Sequence, residues 1–200
     1  CHALNVCTGG FLNVVNGQLY SGVFISGGTS NNIIKNLTVK GFGNGAFLGG
    51  SNGILKNSVL DGNYQGVGIG MGSNNLVTEN TIKNSLDYGF TINTSNNQIY
   101  NNNFIDDYKK GYSSSTNNVY NQEAPYGGNY YENVGFHVPS SQTHSSNTCP
   151  SEWTVDGAFC AEGNGPMVFG SGAMDDRPWI TKNGWINFVP PSFTGPTVTP

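Results

Sequence analysis

Asp61, Glu79, Asp87, Asp106 and Asp107, with Lys83, Lys109 and Lys110, fall within one stretch of the chain. They are the carboxylic acids and cations of a type that general acid–base chemistry uses. Hydrolysis of a glycosidic bond needs a pair of carboxylic acids, and elimination or epimerisation beside a sugar carboxylate needs a base together with cations that neutralise that carboxylate. Tyr64, Tyr88, Tyr108 and Tyr112 lie among them and are of a type that stacks on sugar rings. The same stretch has no histidine and no arginine, since the histidines are His2, His137 and His144 and the one arginine is Arg177. No residue is therefore assigned a catalytic role. Asp61, Tyr64, Lys83, Asp87, Tyr88, Asp106, Asp107 and Lys109 form instead a candidate glycan-contacting edge.

Soft metal ions need Met, His or Cys side chains gathered at one point. The three histidines are scattered, and Met71, Met167 and Met174 share no local spacing, so no metal ligand and no cofactor is expected. The four cysteines fall in two local pairs without the CxxC spacing of a zinc or redox site. Closing a short loop orders the least chain, which favours disulfides Cys1–Cys7 and Cys149–Cys160 and an oxidising compartment. Eight basic against twelve acidic side chains in 200 residues cannot form the basic stripe that a nucleic acid requires. No apolar run approaches the length of a membrane span.

The elements that must position these side chains are legible in a repeat. Of 29 asparagines, counted in the sequence, most lie between Asn5 and Asn129. Superimposing Asn32, Asn52, Asn75, Asn97 and Asn118 gives intervals of 20, 23, 22 and 21 residues. Two residues after each comes Ile34, Ile54, Val77, Ile99 and Tyr120, and seven residues after the first four comes Val39, Val59, Ile82 and Phe104. A second segment opens with Gly22, Gly45, Gly66, Gly89 and Gly111, followed by apolar pairs such as Val67 with Ile69 and Phe90 with Ile92. These are short strands of period two separated by Gly, Asn and Ser, with no window of helical periodicity.

A unit of about 22 residues cannot bury its own apolar face and must stack on its neighbours. Stacking like strands at about 4.8 Å gives parallel sheets around one apolar bore. The expected fold is all-β: a right-handed parallel β-helix of about five coils with an irregular C-terminal cap. Asparagine suits its bends, because the residue tolerates the left-handed conformation and its amide satisfies backbone groups that a bend leaves unpaired. Recurrence places amide on amide, so one ladder is expected through Asn32, Asn52, Asn75, Asn97 and Asn118. A second is expected through Asn57, Asn80 and Asn102, with Leu37 at that position in the earlier coil. Asn36 and Asn93 open the sequons Asn36-Leu37-Thr38 and Asn93-Thr94-Ser95, come out on the exterior in this register, and are candidate glycosylation sites.

The coils Ser73-Asn74-Asn75-Leu76-Val77-Thr78-Glu79-Asn80-Thr81-Ile82 and Ser95-Asn96-Asn97-Gln98-Ile99 resemble the right-handed β-helix repeats of the pectate-lyase-like superfamily, especially NosD-like proteins. Gly127-Gly128-Asn129-Tyr130-Tyr131, Asp156-Gly157 and Met174-Asp175-Asp176-Arg177-Pro178-Trp179 resemble the segments that follow the coils in that family. The resemblance spans roughly residues 20–180. The Ser/Thr-rich stretch around Ser140–Asn147 and the second cysteine pair depart from the family's tail pattern. The resemblance implies a copper label, which the scattered His and Met residues do not support. It also implies polysaccharide lyases, epimerases and hydrolases as relatives, but the acid clusters of such hydrolases are missing here.

The expected organisation is an irregular N-terminal coil or junction over 1–17, β-helix coils over 18–123, a cap over 124–189 and a Pro/Thr-rich linker over 190–200. Trp153, Trp179 and Trp185 are expected in the core of the cap. The weakly charged Asn/Ser/Tyr exterior suits packing against other copies of the chain, further domains of a longer chain, or polysaccharide. The sequence thus points to a secreted or cell-surface, non-catalytic module with a structural or assembly role, such as a filament component. The alternatives are a carbohydrate-active enzyme or a glycan-binding module using the Asp/Lys/Tyr edge.

Overall fold

The computed structural model describes residues 6–8, 14–15, 18–122, 127–132, 167–169, 173–175, 179 and 182–186. Before the repeats lie β1 (Val6–Thr8), β2 (Val14–Val15) and β3 (Gln18–Leu19). The first winding is β4 (Ser21–Ile25), β5 (Ile33–Lys35) and β6 (Thr38–Lys40), and the second is β7 (Asn44–Leu48), β8 (Ile54–Lys56) and β9 (Val59–Asp61). The third is β10 (Gln65–Ile69), β11 (Leu76–Thr78) and β12 (Thr81–Lys83), and the fourth is β13 (Tyr88–Ile92), β14 (Gln98–Tyr100) and β15 (Asn103–Ile105). A fifth begins with β16 (Lys109–Ser113) and reaches β17 (Tyr130–Tyr131), and β18 (Met167–Phe169) pairs antiparallel with β19 (Ala173–Asp175).

Like strands stack in parallel, in the orders β4-β7-β10-β13-β16, β5-β8-β11-β14 and β1-β6-β9-β12-β15-β17. The molecule is a three-sided β-solenoid. It has four complete turns rather than about five, because the fifth winding keeps only a single-residue pairing of Val119 with Gln98 in place of its second strand.

Alternation sends one set of side chains inward from each sheet. Val39, Leu60, Ile82 and Phe104 form one inward column, and Leu55, Val77, Ile99 and Tyr120 another. Ala46, Val67 and Phe90 line up with Leu48, Ile69 and Ile92 on the third side. Each Leu, Ile or Phe so enclosed contributes about 1.5–3 kcal/mol relative to exposure. Towards the carboxyl end the bore becomes aromatic, with ring centroids of Phe90 and Phe104 5.3 Å apart, Phe90 and Tyr120 5.7 Å, and Phe104 and Tyr131 5.5 Å. Gly111 makes this possible, since a Cβ there would fall 2.1 Å from the Phe90 ring.

Three corners join the strands, and each carries one recurrent pair of consecutive residues. The first is left-handed: Asn31, Asn52, Asn74, Asn96 and Asn117 at one corner, with φ of 59°, 54°, 59°, 64° and 60°. At the second corner it is Asn36, Asn57, Glu79 and Asn101, and at the third Gly41, Gly62, Asn84 and Asp106. Asparagine and glycine visit this region at least cost. The next residue turns inward and, where it is Asn, Asp107 or Ser58 in the later coils, offers an acceptor to the backbone N–H of its counterpart one coil earlier. Gly53 N donates to Asn75 Oδ1 (2.8 Å), Asn75 N to Asn97 Oδ1 (3.0 Å), and Asn97 N to Asn118 Oδ1 (2.8 Å). At the second corner Leu37 N donates to Ser58 Oγ, Ser58 N to Asn80 Oδ1, Asn80 N to Asn102 Oδ1 and Asn102 N to Asn129 Oδ1. At the third, Phe42 N donates to Asn63 Oδ1 and Ser85 N to Asp107 Oδ1.

This register moves several residues by one place. Asn52 and Asn57 are not in the interior columns but in the left-handed ones, and Gly53 and Ser58 hold the interior places. Ile54 and Val59 consequently sit on the outer faces, while Leu55 and Leu60 enter the bore. Asparagine is favoured at both members of a corner, for its left-handed tolerance at the first and its amide at the second, so residue identity alone leaves a one-residue slip open. Asn32 occupies the interior register position but donates through Nδ2 to Thr29 Oγ1 (3.1 Å). In the last strand the glycine place is taken by Lys110, and Gly111 sits beside Phe90.

The second-corner column ends on the tail. Asp175, wholly buried, accepts from Asn129 N (2.7 Å), Asn129 Nδ2 (3.2 Å) and the Tyr131 hydroxyl (2.9 Å). Trp179 is buried too, pairing in parallel with Tyr130 and donating from Nε1 to Asn101 Oδ1 (2.9 Å). Trp185 is half-buried. Trp153 and the expected linker over 190–200 lie outside the described residues.

Candidate functional site

The third corner carries most of the edge expected to meet a glycan. β6, β9 and β12 end on the outward residues Lys40, Asp61 and Lys83, which share one register position. Their stacking at about one strand spacing brings opposite charges together. Asp61 Oδ2 lies 2.9 Å from Lys40 Nζ and 3.5 Å from Lys83 Nζ, and Asp61 Oδ1 accepts from Asn84 Nδ2 at 2.8 Å. Partial burial alone would raise the Asp61 carboxyl, but the Asn84 hydrogen bond and the two lysines outweigh it and hold it below the usual carboxylate range.

Further round the corner a second cluster forms. Lys109 Nζ lies 3.2 Å from Asp87 Oδ1, donates to the Tyr88 hydroxyl at 3.4 Å, and sits 4.4 Å from the Tyr88 ring centroid and 5.4 Å from that of Tyr108. Desolvation works against its charge, yet Asp87 and Tyr88 raise the lysine overall. Tyr64 is half-buried nearby, and Asp106 takes the left-handed corner position. Asp61 and Asp87 are thus already in contact with a cation.

Asp107 does not belong to the exposed edge. It occupies the inward corner position, 3% exposed, with Oδ1 accepting from Ser85 N at 2.8 Å. Burial pushes its carboxyl up to about 7, against the Ser85 hydrogen bonds and the charge of Lys110. Lys110, 1% exposed, is pushed down by the same burial, although Asp107, Asp106 and Glu132 favour its charged form. This pair was not foreseen, because Lys110 sits where the earlier coils have glycine.

The outer face of β4, β7, β10, β13 and β16 was also not read from the sequence. One column on it runs Phe24, Phe47, Gly68, Thr91 and Tyr112, and a second runs Ser21, Asn44, Gln65, Tyr88 and Lys109. In the first four windings the signal was present, as the residue between the two apolar positions of each Gly-led strand; in the fifth, Lys110 in the glycine place and Gly111 and Ser113 flanking Tyr112 removed it.

Asn36 and Asn93 are both exposed, Asn36 at a left-handed corner and Asn93 accepting from the Ser114 hydroxyl at 3.0 Å. Cys1, Cys149 and Cys160 lie outside the described residues, and Cys7 is placed only by its backbone, opposite Val39 in β6. A copper site would need several imidazole, thiolate or thioether ligands. His2, His137 and His144 lie outside the described residues, and the one methionine with a described side chain, Met71, is 63% exposed. No group of three His, Cys, Asp or Glu side chains that could hold a metal occurs among the described residues. The described residues do not fit copper.

No helix among the described residues is long and apolar enough to cross a membrane. Residues 12–135 match the family described as periplasmic copper-binding protein (NosD). No curated protein and no solved structure matches the chain.

Proposed function

Because this chain belongs to the NosD family, we propose that it serves as a non-catalytic β-helix module outside the cytoplasm, secreted or held at the cell surface, with a structural or assembly role. The family's description as periplasmic supports an extracytoplasmic place. In this reading the partners are other copies of the chain or further domains of a longer one. Disulfides Cys1–Cys7 and Cys149–Cys160 and glycans on Asn36 and Asn93 belong to the same proposal.

One observation carries the non-catalytic part. A general acid needs a raised pKa and access to substrate, and on this edge the two properties are separated. Asp61 is exposed enough to meet a sugar but is held low by Asn84, Lys40 and Lys83, whereas Asp107 is raised but enclosed. Asp87 is joined to Lys109.

Two measurements test the proposal. Incubation with polygalacturonate and with neutral polysaccharides is expected to release no unsaturated or shortened product; turnover that vanishes in Asp87→Ala would overturn the non-catalytic reading. Sedimentation velocity over a concentration series is expected to show association. A strict monomer throughout would overturn the assembly role.

A further inference from the structure

At the third corner Lys40, Asp61, Lys83, Asp87 and Lys109 all stand in ion pairs within the chain. The outer face of β5, β8, β11 and β14 is built differently. One column on it runs Ile33, Ile54, Leu76 and Gln98 and continues through the single-residue bridge to Val119, and the other runs Lys35, Lys56, Thr78 and Tyr100. Ile33 is 61% and Val119 39% exposed, and Ile54 and Leu76 are half-buried. A contiguous row of aliphatic side chains open to solvent is the mark of an interaction surface.

The charges beside this row are of both signs. Lys35 and Lys56 close the strands of the first two coils, and the exposed Glu79 follows Thr78 at the corner of the third. None of the three is in an ion pair with another described residue. The cations lie towards the amino end and the anion one coil further on, so the charge of this patch is separated along the solenoid axis.

That separation selects the partner. An anionic surface would answer the lysines and set Glu79 against like charge, and an apolar helix would answer none of the three. A second copy of the chain answers both signs. When two such faces meet about a two-fold axis lying between them, an axis along the solenoid would set the aliphatic column of one copy against the lysine column of the other. An axis along the strands keeps like columns together and reverses the order of the coils. The second coil of one copy then meets the third coil of its partner, which places Ile54 opposite Leu76 and Lys56 opposite Thr78 and Glu79, twice over by symmetry. Strands of three residues make the patch narrow, below the area of a standard stable interface, so the dimer is weak and reversible. A glycan on Asn36, at the corner after Lys35, would stand at the rim of the patch, away from these central pairs.

We propose that two copies of this chain pair through the outer faces of β5, β8, β11 and β14 with their solenoid axes antiparallel, Ile54 lying against the partner's Leu76 and Lys56 against the partner's Glu79. This rests on the assembly role and adds to it the face, the axis and the central contacts.

Sedimentation velocity of the intact chain, over a series up to about 1 mM to reach weak contacts, tests the pairing. Wild type is expected to form a reversible dimer, and Leu76→Glu to weaken it at least tenfold with an unchanged circular dichroism spectrum. Leu86→Glu, exposed and off this face, is expected to associate like wild type. Lys56→Glu and Glu79→Lys are each expected to weaken the dimer, whereas an equimolar mixture of the two recovers it, because both central pairs of the mixed dimer again join opposite charges. The proposal is overturned, with the assembly role left standing, if folded Leu76→Glu associates undiminished, if Leu86→Glu loses association equally, or if the mixture associates no better than its components. A wild type that stays monomeric throughout overturns both.

Discussion

At the amino end of the solenoid the inward corner positions hold Asn32, Leu37 and Phe42, whereas at the carboxyl end they hold Asn118, Asn129 and Asp107. Leu37 and Phe42 offer only backbone groups to the next coil, their N–H to Ser58 Oγ and Asn63 Oδ1 and their carbonyls to Val59 N and Tyr64 N, and fill the corner with apolar bulk. Asn129 instead uses every polar atom of its side chain: Oδ1 accepts from Asn102, and Nδ2 donates to Ile99 O, Tyr120 O and Asp175 Oδ2. The same bend is thus closed by packing in one region and by a buried polar network in the other. A buried network is strong while complete and costly once broken. The carboxyl half should therefore be the more sensitive to single substitutions, although both halves share one backbone.

The largest effect is expected where the network ends. Asp175→Ala removes the acceptor for two Asn129 groups and for Tyr131, and unpaired buried groups cost about 1–3 kcal/mol each. A loss of more than about 3 kcal/mol is expected in urea unfolding. Next, the comparison is sharpened by a matched pair within one column. Asn102→Ala removes the hydrogen bonds that its side chain makes to Asn80 N, Asn80 Nδ2 and Val77 O and is expected to cost about 3 kcal/mol, against about 1 kcal/mol for Ser58→Ala. Equal losses would break the distinction between the two regions.

A smaller, pH-dependent effect follows from Asp107. Its folded pKa of about 7 exceeds the ordinary value of 3.8, so between these values the folded state binds more protons than the unfolded state. Its contribution is fully present below about 4, falls as pH rises, and is lost above about 7. Asp61, held low, acts in the opposite sense, its contribution being lost on acidification below the ordinary value. Thermal midpoints of Asp107→Asn are expected to decline less between pH 5 and pH 8 than those of wild type. The smallest effect is expected at a corner: Asn52→Ala, at φ 54°, costs about 1 kcal/mol, while Asn52→Gly is close to neutral. A cost above about 2 kcal/mol for both would return Asn52 to the interior.

The repeat, its length and the all-β solenoid were legible because stacking forces a constant interval on strands and bends. The phase within a coil was less so. Asn52 and Asn57 carry the right residue for either corner position, and only the burial of Leu55 and Leu60 in place of Ile54 and Val59 decides between them. The ion pairs of Asp61 and Asp87 follow from residues recurring on one edge, as the sequence suggested, but the inward turn of Asp107 depends on the third corner having the same two-residue construction as the others. Asp175 was beyond reach, since its partner Asn129 is 46 residues away and no periodicity links the tail to the coils. The place of the Phe47 ring depends on Gly68 and Gly70 in the following coil, a relation that appears only once the coils are stacked.

The central claim is that side chains hydrogen-bond from coil to coil inside the solenoid. Native-state hydrogen exchange reads it directly at single backbone amides. The N–H groups of Ser58, Asn80, Asn102 and Asn129 are expected among the slowest in the chain, and Asn102→Ala is expected to speed Asn80 more than Ser58. Rapid exchange along this column, or a uniform response of all four amides to Asn102→Ala, would contradict the account.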